Sequence, residues 1–264
     1  MLLALGLGVL IGLVIGALGG GGSILTVPAL VFVVGLSAQA ATTASLVIVG
    51  ITSAVAAVGH ARSGGTRWRT GFLLAAAGVP ASVLGSILNR SVEESVLLLA
   101  FAALMLVAAA GMLVRTHHED EAHDETGRAG AITTAVRPAR ARTALRLGGA
   151  GALIGFLTGF LGVGGGFVIV PVLVLALHFP MSTAVGTSLL VIALNSAVAL
   201  AARTAHGTYD WDVIIPFTAA AVVGSLLGKR VSDRLPAATL TRAFAVLLLL
   251  VAAYVAVQAA QDLT

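Results

Sequence analysis

The sequence predicts an all-α integral membrane protein made of two inverted-topology repeats. Two observations support this fold class: long apolar runs without charged residues, and a glycine-rich segment that recurs 143 residues later. The chain is 58% hydrophobic and 10% charged, whereas about a quarter of the residues of soluble domains are charged. Because it contains no cysteine, disulfide frameworks and thiolate metal sites are excluded.

The apolar runs set the number of membrane segments. Lys, Arg, Asp and Glu are missing from 1–61, 70–89, 95–114, 147–202, 213–228 and 243–261. A helix needs about 20 apolar residues to cross a bilayer, so most runs hold one crossing and the two longest hold two or three. The arginines flank these runs, so the basic charge indicates orientation in the lipid bilayer and not binding of nucleic acid.

An internal repeat divides the chain into two halves. The segment GALGGGGSILTVPAL (16–30) aligns without gaps with GFLGVGGGFVIVPVL (159–173), and eight of the fifteen positions are identical. The same offset pairs Trp68 with Trp211, and each tryptophan is expected to anchor the start of a segment at the membrane interface. The predicted domains are a first transmembrane repeat, a polar linker and a second transmembrane repeat: 1–114, 115–146 and 147–264.

Within each half we expect about four to five helical segments, including short or broken helices at the glycine motifs. The predicted segments are 2–19, 23–36, 39–60, 70–89 and 95–114, then 147–162, 166–179, 182–203, 212–230 and 240–260. Segments 23–36 and 166–179 are short for a span. Either all five segments of a half cross the membrane, or the first two form a re-entrant hairpin with the glycines at its tip.

The distribution of basic residues favours inversion of the halves. Loop 60–69 holds three Lys and Arg residues, the linker 115–146 holds six, and loop 229–242 holds four, whereas Arg90 and Arg203 stand alone. The positive-inside rule therefore predicts a cytoplasmic linker and both termini outside, in a multi-pass protein of the inner membrane. The linker is acidic and then arginine-rich, which predicts a solvated loop.

The glycines fall into two classes. Gly8, Gly12 and Gly16, like Gly151, Gly155 and Gly159, stand four residues apart, a spacing typical of close helix packing. Consecutive glycines instead predict a broken helix whose N–H groups converge on an anion, and the apolar runs offer no Lys or Arg for that purpose. The predicted backbone ligands are Gly19, Gly20, Gly21, Gly22, Ser23, Gly162, Gly164, Gly165 and Gly166.

Small polar side chains follow each glycine motif. ATTASL (41–46) aligns with AVGTSL (184–189), and an amide follows further along the second segment. Hydroxyl and amide groups can donate hydrogen bonds to an oxyanion, although Ser and Thr in membrane helices often bond their own i−4 carbonyl instead. The predicted substrate-binding side chains are Thr43, Ser45, Thr187, Ser188 and Asn195. We also expect Pro28 and Pro171 to fix the short helices after the breaks.

Other chemical signals are weaker. His178 lies in an apolar run, where ionisable residues are functional candidates, but its surroundings ALHFPMS are typical of a helix end at the interface. HHEDEAH (117–123) contains metal-ligand residue types within the linker. The apolar runs carry neither a Ser-His-Asp set nor paired carboxylates, so we predict no catalytic residues, no resident metal and no cofactor.

The repeated G-x-x-G-x-G-G-G…P pattern, with ATTASL and AVGTSL after it, resembles the sulfite exporter TauE/SafE family. The resemblance implies a secondary transporter, an exporter of a small sulfur-containing oxyanion such as sulfite or an organosulfonate, working by alternating access with a proton or sodium as coupling ion. The alternatives are a cation or metal-ion transporter that uses His178 and the linker histidines, or a non-transporting scaffold that acts through 115–146. The sequence carries no signal for the oligomeric state.

Overall fold

The computed structural model describes residues 2–89, 92, 94–125, 140–161, 166–203 and 210–261. Every regular element in these ranges is helical, which confirms the predicted all-α class. The helices are α1 (Leu2–Leu18), α2 (Gly22–Phe32), α3 (Ala38–Arg62), α4 (Trp68–Asn89), α5 (Glu94–Glu125), α6 (Arg140–Leu161), α7 (Gly166–Pro171), α8 (Met181–Arg203), α9 (Trp211–Ser232) and α10 (Ala237–Gln261). In the described ranges, α3, α4, α8, α9 and α10 are long and apolar enough to cross a membrane.

The helix boundaries follow the repeat. α1 and α6 end at the equivalent residues Leu18 and Leu161, and α4 and α9 both begin at the paired tryptophans, Trp68 and Trp211. The packing is reciprocal as well, because α1 lies against α9 of the other half and α6 lies against α4. The pairs α3–α8 and α5–α10 complete the interface. The two halves therefore interlock and do not form separate bundles.

The equivalent helices α3 and α8 run in opposite directions. The end of α3 and the start of α8 line one cavity together, at His60 and Ser182. The start of α3 lies at a second cavity with the start of α9, at Ser37 and Trp211. Inverted repeats require such an antiparallel course, whereas inversion relative to a bilayer stays a prediction.

The glycines with four-residue spacing pack as predicted. A Cβ on Gly12 would lie 2.0 Å from the carbonyl oxygen of Ala221 in α9, and a Cβ on Gly155 would lie 2.0 Å from that of Gly78 in α4. These two contacts are related by the repeat. The same α1–α9 and α6–α4 interfaces contain Gly8, Gly16, Gly151 and Gly159. Only glycine lets the two helix backbones approach this closely.

The linker differs from the predicted loop. α5 continues to Glu125 and α6 begins at Arg140, so both ends of 115–146 are helical. The reason is local, because Glu, Ala and Arg are good helix formers and extend a helix once it leaves the membrane. Residues 126–139 lie outside the described ranges.

The short helices are shorter than predicted. α2 has 11 residues and therefore covers about 16 Å, about half of a hydrocarbon core. α7 continues as a π-helical turn that ends at Ala176. In both halves an i→i−5 bond closes the helix, Val34 to Ala29 and Leu177 to Val172. A residue with positive φ then turns the chain toward the next helix.

Candidate functional site

The first helix break is three residues long. α1 ends at Leu18, and Gly19 adopts φ +79°, a left-handed conformation that glycine tolerates. Gly21 is already in the right-handed α region, with φ −66° and ψ −31°, and α2 begins at Gly22. The prediction that Gly22 and Ser23 belong to the break is therefore wrong, because both residues already lie in α2. The structure places Ser23 in α2 and does not describe its side chain.

The first break touches the helix that follows the second break. A Cβ on Gly20 would lie 1.5 Å from the carbonyl oxygen of Gly166 and 2.9 Å from the backbone nitrogen of Phe167. Gly166 is the first residue of α7 and is buried. The remaining predicted ligands of the second break, Gly162, Gly164 and Gly165, lie outside the described residues. Two segments 143 residues apart thus meet backbone to backbone.

The first break also contacts the start of α8. A Cβ on Gly19 would lie 2.6 Å from Oγ of Ser188 and 3.3 Å from Cα of Val185. Ser188 is fully buried. Gly19, Gly20, Gly166 and Ser188 therefore form one group, the break cluster. The first N–H groups of α2 lie beside it and have no partners within their own helix.

Two predicted ligands face away from the break cluster. The Cβ direction of Gly21 points at the side chain of Leu247 in α10, 2.5 Å from Cδ2. That of Gly22 points at Ile15 in α1, 2.2 Å from Cγ1. At these two positions glycine lets α2 pack against its neighbours. These two glycines can therefore bind a ligand only through their backbone N–H groups.

Three predicted hydroxyls are bonded within their own helices. Oγ1 of Thr43 donates to the carbonyl oxygen of Gln39 at 3.0 Å, and Oγ of Ser45 donates to that of Thr42 at 2.8 Å. Oγ of Ser188 donates to the carbonyl oxygen of Val185 at 2.8 Å. In this conformation all three hydroxyls bond carbonyl groups of their own helix, the alternative to substrate binding that the sequence left open. Each hydroxyl must rotate before it can donate to an anion.

Thr187 fastens the α3–α4 loop to α8. Its Oγ1 accepts a hydrogen bond from the backbone N–H of Arg67 at 3.2 Å. The guanidinium of Arg67 lies over the ring of Phe179, 4.9 Å from its centroid. A Cβ on Gly186 would lie 2.5 Å from the carbonyl oxygen of Gly65. The loop after α3 is thus closed down on the start of α8.

The equivalent place in the other half lines a cavity. The repeat pairs Phe179 with Leu36 and Arg67 with Asp210. Leu36 and Asp210 line a cavity of 690 Å³, together with Ser37, Trp211 and other residues of these two loops. Residues 204–209, the counterparts of 61–66, lie outside the described ranges.

A second set of polar residues lies further along α3 and α8. Two of its members, Thr52 and Ser53, are not among the predicted ligands. Asn195 is half-buried in α8, and the repeat pairs it with Thr52. Thr52 and Ser53 are fully buried, and their hydroxyls have no hydrogen-bond partner among the described residues. The offset of the repeat could have identified Thr52, since it aligns this residue with Asn195.

The histidine and metal signals have a simpler explanation. His178 is exposed, adopts φ +55°, and occupies the place that Gly35 takes in the first half with φ +82°. It therefore ends a helix, as its sequence surroundings indicate. Within the described ranges, no three His, Asp or Glu residues come together as a metal-binding group. HHEDEAH (117–123) lies in α5, and its side chains are not described.

Two interlocked halves, apolar spans and helices broken inside the protein define a polytopic helical membrane protein of the transporter class. The family profile described as "Sulfite exporter TauE/SafE" matches residues 4–255. The chain therefore belongs to the sulfite exporter TauE/SafE family and is a membrane transporter.

Curated relatives agree with this class. A "Probable membrane transporter protein" of Xylella fastidiosa (strain Temecula1) is 32% identical over 262 residues, covering 97% of this chain and 94% of the relative. The "Probable membrane transporter protein YunE" of Bacillus subtilis is 24% identical over 93% of each chain. The relative MJ0441 of Methanocaldococcus jannaschii, with the same description, is 28% identical over 74% of this chain and 70% of its own. No solved structure matches.

Proposed function

We propose that the protein is a secondary transporter that exports a small sulfur-containing oxyanion, such as sulfite or an organosulfonate, across the inner membrane. Family membership supports a transporter. The family's description supports sulfite as the substrate class and export as the direction. The positive-inside rule supports a cytoplasmic linker and external termini.

The contact between the two helix breaks carries the proposed binding site. The backbone of Gly20 lies directly on that of Gly166, and the hydroxyl of Ser188 lies beside Gly19. Backbone N–H groups at a break, together with hydroxyls, can surround the oxygens of a sulfite or sulfonate group. We include Gly162, Gly164 and Gly165 in this site because the repeat makes them the counterparts of Gly19, Gly21 and Gly22.

Neutral donors suit a transported anion. A buried Lys or Arg would leave an uncompensated charge in the protein whenever the anion departs, and such a charge is costly. N–H and O–H groups bind the anion without that cost. Thr43, Ser45 and Ser188 complete the proposed set once their hydroxyls turn away from their own helices. Asn195 extends it along α8, and we assign Thr187 to substrate contact only in a conformation that releases Arg67.

The loop between α3 and α4 supports alternating access. Arg67 of this loop lies over the ring of Phe179 where α8 begins. Movement of the loop away from α8 would expose the break cluster to that side, as in other transporters with inverted repeats. The positive-inside rule predicts that this end faces the cytoplasm.

The experiment is a thermal-stability panel on the purified protein in detergent. It compares sulfite, sulfoacetate, chloride and divalent cations at equal ionic strength. A ligand at a hundredfold excess over its Kd stabilises the folded state by about 2.7 kcal/mol. Stabilisation by sulfite or sulfoacetate but not by chloride supports the proposal. Stabilisation by divalent cations alone would overturn it in favour of a metal-ion transporter.

A deletion tests the scaffold alternative. Removing 126–139 should leave anion stabilisation and transport intact, because the described parts of α5 and α6 pack against α10 and α4. Loss of the cellular phenotype with intact anion binding would favour a scaffold that acts through the linker.

A further inference from the structure

A cavity lies where four helices meet at one end of the molecule. It has a volume of 360 Å³ and is lined by the ends of α3 and α9, the starts of α8 and α10, and the loop after α3. A water molecule takes about 30 Å³ in the liquid, so the cavity has room for a small oxyanion with several waters. The positive-inside rule predicts that this end faces the cytoplasm.

Two long helices begin at this cavity. Ser182 and Thr183 are the second and third residues of α8, and Ala237 is the first residue of α10. The first N–H groups of a helix have no carbonyl partner within the helix, and the helix dipole adds partial positive charge at this end. The cavity therefore lies beside two sets of backbone donors.

The two helices that end at the cavity have occupied carbonyl groups. In α3, the carbonyl oxygen of His60 accepts from the turn N–H of Gly65 at 3.0 Å. In α9, the carbonyl oxygen of Lys229 accepts from the N–H of Asp233 at 2.9 Å. Because these acceptors are occupied while the donors of the two helix starts are not bonded within their helices, the balance of backbone groups favours an anion.

Hydroxyl groups add further donors to the cavity. Ser232 is 7% exposed and lines the cavity, yet its hydroxyl has no hydrogen-bond partner among the described residues. The hydroxyls of Ser182 and Thr183 also line it without a partner in the described part of the chain. A buried polar group that lacks a partner is costly, and an oxyanion in the cavity would accept from all three hydroxyls.

His60 supplies one acceptor to the cavity. It is 3% exposed, and its Nε2 lies 3.0 Å from the carbonyl oxygen of Gly16. Because a carbonyl oxygen only accepts, Nε2 carries the hydrogen, and Nδ1 of the neutral ring is then an acceptor. Nδ1 lies 4.0 Å from the Cβ position of Gly65, which lines the same cavity. An oxyanion that carries a proton can donate to this nitrogen, whereas a fully deprotonated oxyanion cannot.

The charged side chains at the cavity compensate each other. Lys229 and Asp233 of α9 form an ion pair, and Nζ of Lys229 donates to Oγ of Ser63 at 2.9 Å. Arg62 on α3 and Arg242 on α10 are exposed. The described residues of α1 and the first turn of α8 carry no charged side chain. Binding of an anion here therefore depends on neutral donors, as we propose for the break cluster.

The cavity lies close to the break cluster. Gly16, which His60 contacts, precedes the left-handed Gly19 by three residues. Ser188 of the break cluster follows Ser182 by six residues in α8, about 9 Å along the helix. The loop after α3 lines the cavity and also covers the start of α8. Movement of this loop would therefore join the cavity to the break cluster.

We propose that this cavity, the vestibule, is a second anion site that collects hydrogen sulfite, the protonated form of the substrate, before it moves to the break cluster. The inference rests on the proposed transport function. The first N–H groups of α8 and α10 and the three hydroxyls donate to the oxygens of the anion, and its O–H donates to Nδ1 of His60. A site on the predicted cytoplasmic side, ahead of the break cluster, serves export.

The first experiment measures sulfite binding to the purified protein in detergent by calorimetry. Wild type should bind two anions per chain, one at the break cluster and one in the vestibule. In Gly20→Ala the affinity of the break cluster falls, so the vestibule can be measured on its own. Binding of a single anion per chain in wild type would overturn the inference and leave the proposed function standing.

Two substitutions each remove one hydroxyl from the vestibule with little change of volume. Thr183→Val and Ser232→Ala should each raise the Kd of the vestibule for sulfite about tenfold, as expected for the loss of one hydrogen bond to a charged ligand. Thr239→Val is the matched control, because Thr239 lies in the first turn of α10, is exposed and does not line the cavity. A vestibule Kd that stays at the wild-type value in both folded variants would overturn the site.

The pH dependence of binding tests the acceptor role of His60. Because sulfite takes up its proton near neutral pH, the Kd of the vestibule for total sulfite should rise about fivefold to tenfold from pH 6 to pH 8. Methanesulfonate, a monoanion without an O–H, should bind there more weakly and without this dependence. Equal binding of the two anions at every pH would contradict the acceptor role.

Two variants of His60 separate the proton of the ligand from that of the imidazole. His60→Gln should keep the pH dependence, because its amide retains a donor for Gly16 and an acceptor for the anion. Its loss in this variant would assign the dependence to titration of the ring and overturn the inference. His60→Leu removes the acceptor and should bind sulfite and methanesulfonate alike. A preference for sulfite that persists in folded His60→Leu would also overturn it.

Transport distinguishes failure of the vestibule from failure of the proposed function. In proteoliposomes, Ser232→Ala should raise the KM for sulfite on the cytoplasmic side about tenfold and leave the maximal rate unchanged, because saturating anion fills the vestibule again. An unchanged KM would overturn the role of the vestibule while leaving the transporter intact. Wild type that moves neither sulfite nor sulfoacetate would overturn the proposed function, and calorimetry still decides in that case whether the vestibule binds hydrogen sulfite.

Discussion

A single methyl group at Gly20 tests whether the meeting point of the breaks is the binding site. In Gly20→Ala, the added Cβ would lie 1.5 Å from the carbonyl oxygen of Gly166. Both partners are backbone, so no side chain can rotate away. The two backbones must separate by about 2 Å to reach an ordinary contact distance of about 3.5 Å. The change therefore acts on the geometry between the breaks.

The expected magnitudes differ for stability and binding. Overpacking of this kind costs about 1–3 kcal/mol, which corresponds to a fall in Tm of about 2–10 °C for a protein of this size. Loss of one hydrogen bond to a charged ligand costs a further 1.5–3 kcal/mol of binding, as an order of magnitude. The Kd for sulfite or sulfoacetate should therefore rise about 10- to 100-fold.

The assay is anion-dependent thermal stability together with exchange in proteoliposomes. Gly6→Ala is the matched control, because Gly6 lies in the same helix α1, is exposed, and has no atom within 4 Å of its Cβ position. It should raise stability slightly through its better helix propensity, with unchanged anion affinity. Folded Gly20→Ala protein with wild-type affinity and exchange would refute the reasoning, since the breaks would then not be the site.

Two further predictions concern residues to which we assign a structural role. Gly12→Ala and Gly155→Ala each place a Cβ 2.0 Å from a backbone oxygen of the partner helix, so each should lower Tm by a similar amount in a melting curve without changing anion specificity; clearly unequal losses would contradict the reciprocal packing. His178→Gly should raise stability by about 0.5–1 kcal/mol, because glycine relieves the left-handed backbone, and should leave transport unchanged. Loss of metal-dependent activity in that variant would favour the metal-ion alternative.

The helical class, the repeat and the packing glycines could be predicted from the sequence because they depend on local rules. Charge-free runs specify spans, and the offset that pairs Trp68 with Trp211 also gives the start of α4 and α9. Gly12 and Gly155 were assigned to packing from spacing alone. Each of these features is encoded within one or two helical turns.

The geometry of the site could not be predicted in the same way, because it depends on contacts between the halves. Sequence grouped five residues, 19–23, as one break, but only Gly19 takes a left-handed φ and Gly22 already begins a helix. The contact of Gly20 with Gly166 joins segments that are far apart in the chain. The hydrogen bond between His60 and the carbonyl oxygen of Gly16 could not be predicted either, because the two residues are 44 positions apart in the chain.

The secondary structure of the linker could not be predicted from its charges. Its charges predicted a loop, yet α5 and α6 extend into it, because charge excludes a segment from the membrane without preventing a helix. Composition therefore gives the environment of a segment more reliably than its secondary structure.

The most direct test of the central claim locates the anion itself. A crystal structure with bound selenite, the heavier analogue of sulfite, would mark the site by the anomalous signal of selenium. The account predicts a peak within hydrogen-bonding distance of the backbone amides between Gly20 and Gly166, beside the hydroxyl of Ser188. A peak elsewhere, with an empty break cluster under conditions in which selenite stabilises the protein, would contradict it.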